Sequence, residues 1–171
     1  MPNSMDSEEP LARFLMQSPN VTRLEIISVR CAPTSRGLIA VLSHTPYLTH
    51  LELVFRSYHS VGHTFLDALS YKDGVTPLVP HLHSLILTKM STNTTQCSAP
   101  AFEHLFVSRW ATVELTSPSA PPSVARWSRV ELRGKCNQQF MDKMETLQRM
   151  GLPRELQNLE QTSTSTAYRF L

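Results

Sequence analysis

The chain has 171 residues, enough for one domain with a substantial core, and 41 % hydrophobic and 18 % charged residues mark it as globular rather than disordered. Its net charge of +2 comes from interspersed signs with no basic stripe, so nucleic acid is not expected as a partner. No apolar run approaches bilayer length, and the opening MPNSMDSEEP lacks the apolar stretch of a secretory signal, so no membrane partner is expected either.

Residues 1–9 are polar and acidic and read as a disordered N-terminus. Pro10 suits the first turn of a helix in which Leu11, Phe14 and Leu15 share a face, and Ser18-Pro19 ends it, because a residue before proline is pushed out of the helical region. SPNVTRLEI (18–26) follows, with apolar anchors at Val21, Leu24 and Ile26. The same order then recurs. Leu38, Val41 and Leu42 form a helical stripe, Thr45-Pro46 breaks it, and TPYLTHLEL (45–53) supplies Leu48, Leu51 and Leu53. Phe65, Leu66 and Leu69 form a third stripe, Asp73-Gly74 and Pro77 stop it, and VPHLHSLIL (79–87) supplies Leu82, Leu85 and Leu87. Phe102, Leu105 and Phe106 continue the series behind Pro100. ARWSRVEL (125–132) then gives Trp127, Val130 and Leu132, the weakest match because tryptophan replaces a leucine. A last helix from about Asn137, a good N-cap, carries Phe140, Met144 and Leu147 and is closed by Gly151 and Pro153. This helix is expected to cap the domain, with 153–171 a largely disordered tail.

Within each of these Leu-x-x-Leu-x-Leu-type hexads apolar and polar residues alternate toward the C-terminal end, which predicts a short strand with one buried face. Strands that alternate with helices are expected to be parallel, since parallel neighbours need a crossover. Self-similarity at this period signals stacked repeats. The predicted fold class is therefore α/β: a short leucine-rich-repeat solenoid over residues 10–152, strands stacked on one face and helices on the other. First anchors fall 27, 34 and 45 residues apart (Val21, Leu48, Leu82, Trp127), so the repeats are irregular, with the extra length in the loops STNTTQCSAP (91–100) and TSPSAPPS (116–123).

Such a coil presents its strand face. The outward positions are Arg23, Glu25 and Ile27; His50, Glu52 and Val54; Ser84, Ile86 and Thr88; and Arg129, Glu131 and Arg133. Strands about 4.8 Å apart would join them into one patch, suited to a protein or peptide, although solvated strand residues in cross-strand pairs would look the same. Catalytic readings fail by comparison. His59 and His63 have metal-site spacing and His81 and His83 lie near them in sequence, but no close cysteine pair completes a zinc set. There is no Gly-x-Ser-x-Gly elbow, and five glycines make no phosphate loop. No metal, cofactor or catalytic residue is expected. Cys31, Cys97 and Cys136 are odd in number and widely spaced, which suits reduced thiols in a cytoplasmic or nuclear protein, and the sequons at Asn20 and Asn93 then go unused.

The runs TPYLTHLELVF, HTFLDALSYKDGVTPLVPHLHSLIL, FEHLFVSRW and RVELRGK with MDKMETLQRMGL together resemble the leucine-rich-repeat region of divergent fungal F-box proteins. In that family a helix ending in L-P-x-L leads into each strand and an F-x-x-x-V-x-S-R-W segment precedes the final one; Phe102 to Trp110 matches that segment approximately. The resemblance implies a non-catalytic role in recognising the substrate of a ubiquitin ligase. An F-box would bind the adaptor of a cullin ligase, but none is seen before Leu11, so the adaptor is expected as a partner only of a longer product. The alternative expectation is a truncated fragment or structural scaffold with no activity of its own.

Overall fold

The computed structural model describes residues 8–28, 34–55, 62–72, 75, 78–89, 99–115, 124–134, 138–151 and 154–157. Helices and strands alternate throughout: α1 (Glu8–Met16), β1 (Arg23–Ser28), α2 (Ser35–Leu42), β2 (His50–Phe55), α3 (His63–Leu69), β3 (Ser84–Lys89), α4 (Ala99–Leu115), β4 (Arg129–Arg133), α5 (Gln138–Arg149) and β5 (Arg154–Gln157). The strands form one open parallel sheet whose spatial order, β1-β2-β3-β4-β5, is the order of the chain.

Proline sets the entry to three of the strands. With φ fixed near the value needed at the second position of a tight turn, Pro19, Pro46 and Pro80 each precede a backbone bond that closes the turn: Val21 N to Ser18 O, Leu48 N to Thr45 O and Leu82 N to Val79 O, at 3.1 to 3.3 Å. Ala125 replaces proline in the fourth unit, and its N–H, which a proline would lack, donates to Pro80 O at 2.7 Å. Each turn is then stitched to the next. Thr22 O accepts from the N–H groups of Thr49 and His50, Thr49 O from those of His83 and Ser84, and His83 O from those of Ser128 and Arg129. The register is thereby set before the strands begin.

The anchors consequently line up across the sheet. Leu24, Leu51, Leu85 and Val130 make one inward row, and Ile26, Leu53, Leu87 and Leu132 the next. Against them pack Leu38 and Leu42 of α2, Phe65, Leu66 and Leu69 of α3, Phe102, Leu105 and Phe106 of α4, and Phe140, Met144 and Leu147 of α5, all in one cluster. Successive helices contact each other in chain order. Every described helix therefore lies on the same side, and among the described residues the other face of the sheet carries none. Thr34 caps α2, its Oγ1 accepting from Gly37 N at 3.0 Å. Thr34→Ala is expected to cost about 0.5–2 kcal/mol, read as a shift in the urea midpoint at constant slope.

Among the described residues two charged side chains are buried, Glu131 on the outer sheet face and Arg109 on the helix side. Arg109 of α4 has no exposed surface, and its guanidinium donates to four carbonyls: Leu69 O from Nε at 2.8 Å, Leu82 O from Nη1 at 3.1 Å, and Leu78 O and Val79 O from Nη2 at 2.9 and 3.2 Å. It also lies 5.2 Å from the centre of the Trp127 ring. Its neighbour Ser108 accepts from Tyr71 N at 3.1 Å. Together they hold the connection between α3 and β3. Val79, at the head of the third turn, has φ 47°, a left-handed conformation that a β-branched residue adopts only when its surroundings impose it.

The chain departs from the sequence reading at its C-terminal end. The described sheet continues through β5, past the expected boundary at 152, and α5 connects β4 to β5 rather than ending the domain as a terminal cap. Leu156 stands in register with Leu132, but Gly151 and Arg154 take the places of the first two anchors. The hexad is too degraded to read by its apolar positions. Gly151 does close α5, at φ 98°, the left-handed conformation that glycine adopts without a Cβ penalty. Asn137, Asp73, Gly74, Pro77, His59, the three cysteines and most of both long loops lie outside the described residues.

Candidate functional site: the outer face of the sheet

Because side chains alternate along a strand, burying the anchors sends the intervening residues to the helix-free face. All twelve expected outward positions stand there in three rows: Arg23, His50, Ser84 and Arg129; Glu25, Glu52, Ile86 and Glu131; Ile27, Val54, Thr88 and Arg133. β5 adds Glu155 and Gln157 to the last two rows of the register.

The rows are not uniformly exposed. Arg23, Glu25, His50 and Arg129 are open to solvent, and Ile27 is 59 % exposed at the sheet edge. Glu52, Val54, Thr88 and Arg133 are half-buried. Ser84, Ile86 and Glu131, expected on the surface, are buried, at 4 %, 9 % and 0 % exposure. Ser84 is short and stands between the larger His50 and Arg129, which shade it. Glu131 is clamped within its own strand: Arg129 Nη2 donates to Oε2 at 2.6 Å and Arg133 Nε to Oε1 at 2.5 Å. Arg133 Nη1 reaches on to Glu52 Oε1 at 3.4 Å. Ile86 lies between Glu52 and Glu131 in register, so that span crosses β3 and roofs the isoleucine with a guanidinium. Arginine suits the task, having five donors in a rigid fork.

The rim where the strands begin is aromatic and imidazole-rich. Tyr47 and His81 stack with centroids 6.1 Å apart and planes inclined by 13°. The His50 and His83 rings meet edge to face at 4.7 Å. His50 Nδ1 lies 2.7 Å from Thr49 Oγ1, and His83 Nδ1 lies 2.9 Å from Ser128 Oγ. Burial, and to a lesser degree the neighbouring His50, lower the His83 pKa, which favours its neutral form.

The helix side offers less. A pocket of about 350 Å³ between α4 and α5 is lined by Pro100, Glu103, Gln139, Asp142, Lys143 and Thr146. Its Lys143 pairs with Glu103 at 2.9 Å. Among the described residues no group of three or more histidines, cysteines or carboxylates gathers to hold a metal, and no helix is long and apolar enough to cross a membrane.

Two features lay beyond the sequence reading. The pairing of His50 with His83 joins residues on different strands, and only the register brings them together. Arg109 did leave a signal, since Phe102, Leu105, Phe106 and Arg109 follow the spacing of a single helical face. Compared with protein-family models, curated proteins and solved structures, the chain gives no match. What the coordinates define is an α/β protein with an open parallel sheet covered by helices on one side.

Proposed function

We propose that the chain is a non-catalytic protein-binding module, a short and irregular leucine-rich-repeat coil that takes its partner across the outer face of the sheet. The role is that of the substrate-recognition repeats of an F-box ubiquitin-ligase subunit, which the sequence resembles. The observation that carries this reading is the unbroken sequential order of the parallel strands, with anchors aligned in rows and, among the described residues, one face left without helices. On this reading the strands belong to a stacked coil, whose sheet face is the common binding surface of repeat proteins. The face mixes apolar Ile27 and Val54 with fixed charges at Glu52, Glu131 and Arg133, a combination that suits a protein surface rather than a small molecule.

Glu52→Arg and Val54→Asp test it. Both change the face without touching the inward rows, so folding should survive with a Tm within a few degrees of wild type. A partner captured from the native cells by the wild-type chain should bind each variant at least about tenfold more weakly, a loss of roughly 1.4 kcal/mol. Equal binding by both variants would remove the face assignment. A second reading, a scaffold without a partner of its own, draws on the ion pairs that the face makes within itself at Glu131, Arg129, Arg133 and Glu52. It is favoured if the folded chain captures nothing that the variants lose.

A further inference from the structure

We propose that two copies of the chain pair through β1, antiparallel about a two-fold axis normal to the sheet, and so join their sheets edge to edge. The inference concerns the sheet edge and stands apart from the partner-binding reading of the outer face. Among the described strands β1 is bonded to β2 alone. Thr22 O accepts from His50 N, and the backbone groups of successive strand residues point to opposite sides. Those of Leu24 and Ile26 therefore serve β2, and those of Arg23, Glu25 and Ile27 face the edge away from it. Edge strands are usually guarded by lysine, proline or a bulge. β1, RLEIIS, has none of these and runs in unbroken register with β2. Apolar side chains are also left open there. Leu24 and Ile26 are half-buried where Leu51 and Leu53, their register partners, are fully buried. Ile27 of β1 and Phe14 and Met16 of α1 are exposed.

Charge selects the occupant. A two-fold contact must be complementary to itself, and an axis normal to the sheet centres the register on one residue and its copy. Centring on Glu25 sets two carboxylates face to face, which is destabilising. Centring on Ile26 sets Glu25 against the apolar Ile27. Centring on Leu24 sets Arg23 of each copy opposite Glu25 of the other, twice over. In that register Arg23 and Glu25, whose backbone groups point to the edge, exchange N–H and carbonyl bonds, and the two Leu24 residues form the narrow pair whose side chains lie closest. Both charges are available for it. Neither Arg23 nor Glu25 enters an ion pair among the described residues, whereas Arg129 and Glu131, which hold the same places in β4, pair at 2.6 Å. Stacking copies head to tail instead, β5 against β1 in the register of the sheet, would bring Glu155 level with Glu25 and Arg154 level with Leu24, so the closed pair is favoured over an open stack.

Analytical ultracentrifugation of the tag-free chain, from low to several hundred micromolar, tests the pairing. One strand and one helix flank per copy make a contact at the small end of specific interfaces, so a monomer–dimer equilibrium with a dissociation constant on the order of 10–100 µM is expected. At low micromolar concentration the chain is then mostly monomer, and β1 keeps its single neighbour. Arg23→Glu and Glu25→Arg each set like charges opposite one another. Each should weaken dimerisation at least tenfold while leaving the far-ultraviolet spectrum unchanged. Mixing the two variants faces acid with base again, and the mixture should associate about as tightly as wild type. Raising the wild-type concentration should slow hydrogen exchange at the Arg23 and Glu25 amides, which gain acceptors only in the pair. A wild-type chain that stays monomeric at several hundred micromolar would overturn the proposal. So would a dimer that both charge variants leave intact, or a mixture of the folded variants that does not associate.

Discussion

Arg109→Met should lower folding stability by several kcal/mol, a large share of the 5–15 kcal/mol typical of a domain, since each buried acceptor left unsatisfied costs about 1–3 kcal/mol. Methionine keeps most of the stem volume, so the expected loss isolates the guanidinium. Four carbonyls, those of Leu69, Leu78, Val79 and Leu82, lose a donor together. Hydrogen bonds to a charged group contribute about 1.5–3 kcal/mol each when counted singly, but one group making several is not their sum. The burial cost of the charge offsets part of the gain: desolvation pushes the guanidinium pKa down to about 10, which still leaves it protonated at neutral pH. Leu69 is the last residue of α3, so the cation also meets the negative end of that helix dipole. Arg109→Lys is expected to fall between methionine and wild type, since a point charge cannot span four acceptors. Urea denaturation followed by tryptophan fluorescence reads both. A loss under about 1 kcal/mol for Arg109→Met would mean that the turn at 78–82 holds itself, against the left-handed φ of Val79.

The contrast between Arg109 and the anchors shows what a sequence can display. Strand anchors repeat, and repetition makes each of them legible: Leu48, Leu51 and Leu53 announce the same role as Leu82, Leu85 and Leu87. The alternation that assigned the twelve outward positions follows from the period of a strand alone. Exposure does not. Glu131 is buried because two arginines of its own strand fold over it, and Ile86 because Arg133 reaches across to Glu52. Those are choices of side-chain direction, and alternation carries no information about them. β5 escaped for a different reason: its register with β4 is fixed by the backbone, and only Leu156 keeps an anchor's character. The histidine pair escaped because its members are neighbours through the sheet and not along the chain.

Across the second inward row, the cost of cutting a side chain back to alanine should depend on its place in the stack. Leu53 and Leu87 each have a paired strand on both sides and no exposed surface, so either truncation should cost about 2–5 kcal/mol through lost transfer energy and a cavity that the neighbouring rows cannot fill. Ile26 lies on edge strand β1 and is only half-buried. Fewer of its methyl contacts are made inside the protein, and the same change there should cost less than half as much. The gradient follows from strand order, in which an inner strand is paired on both sides and β1 on one. A centre unit loses two interfaces and an end unit one. Equal urea midpoints for Ile26→Ala and Leu87→Ala would contradict it, and would mean that the sheet shares strain as one continuous core. A graded series would also make β1 the first strand to open in hydrogen exchange, since its backbone is held on one side only by the described sheet.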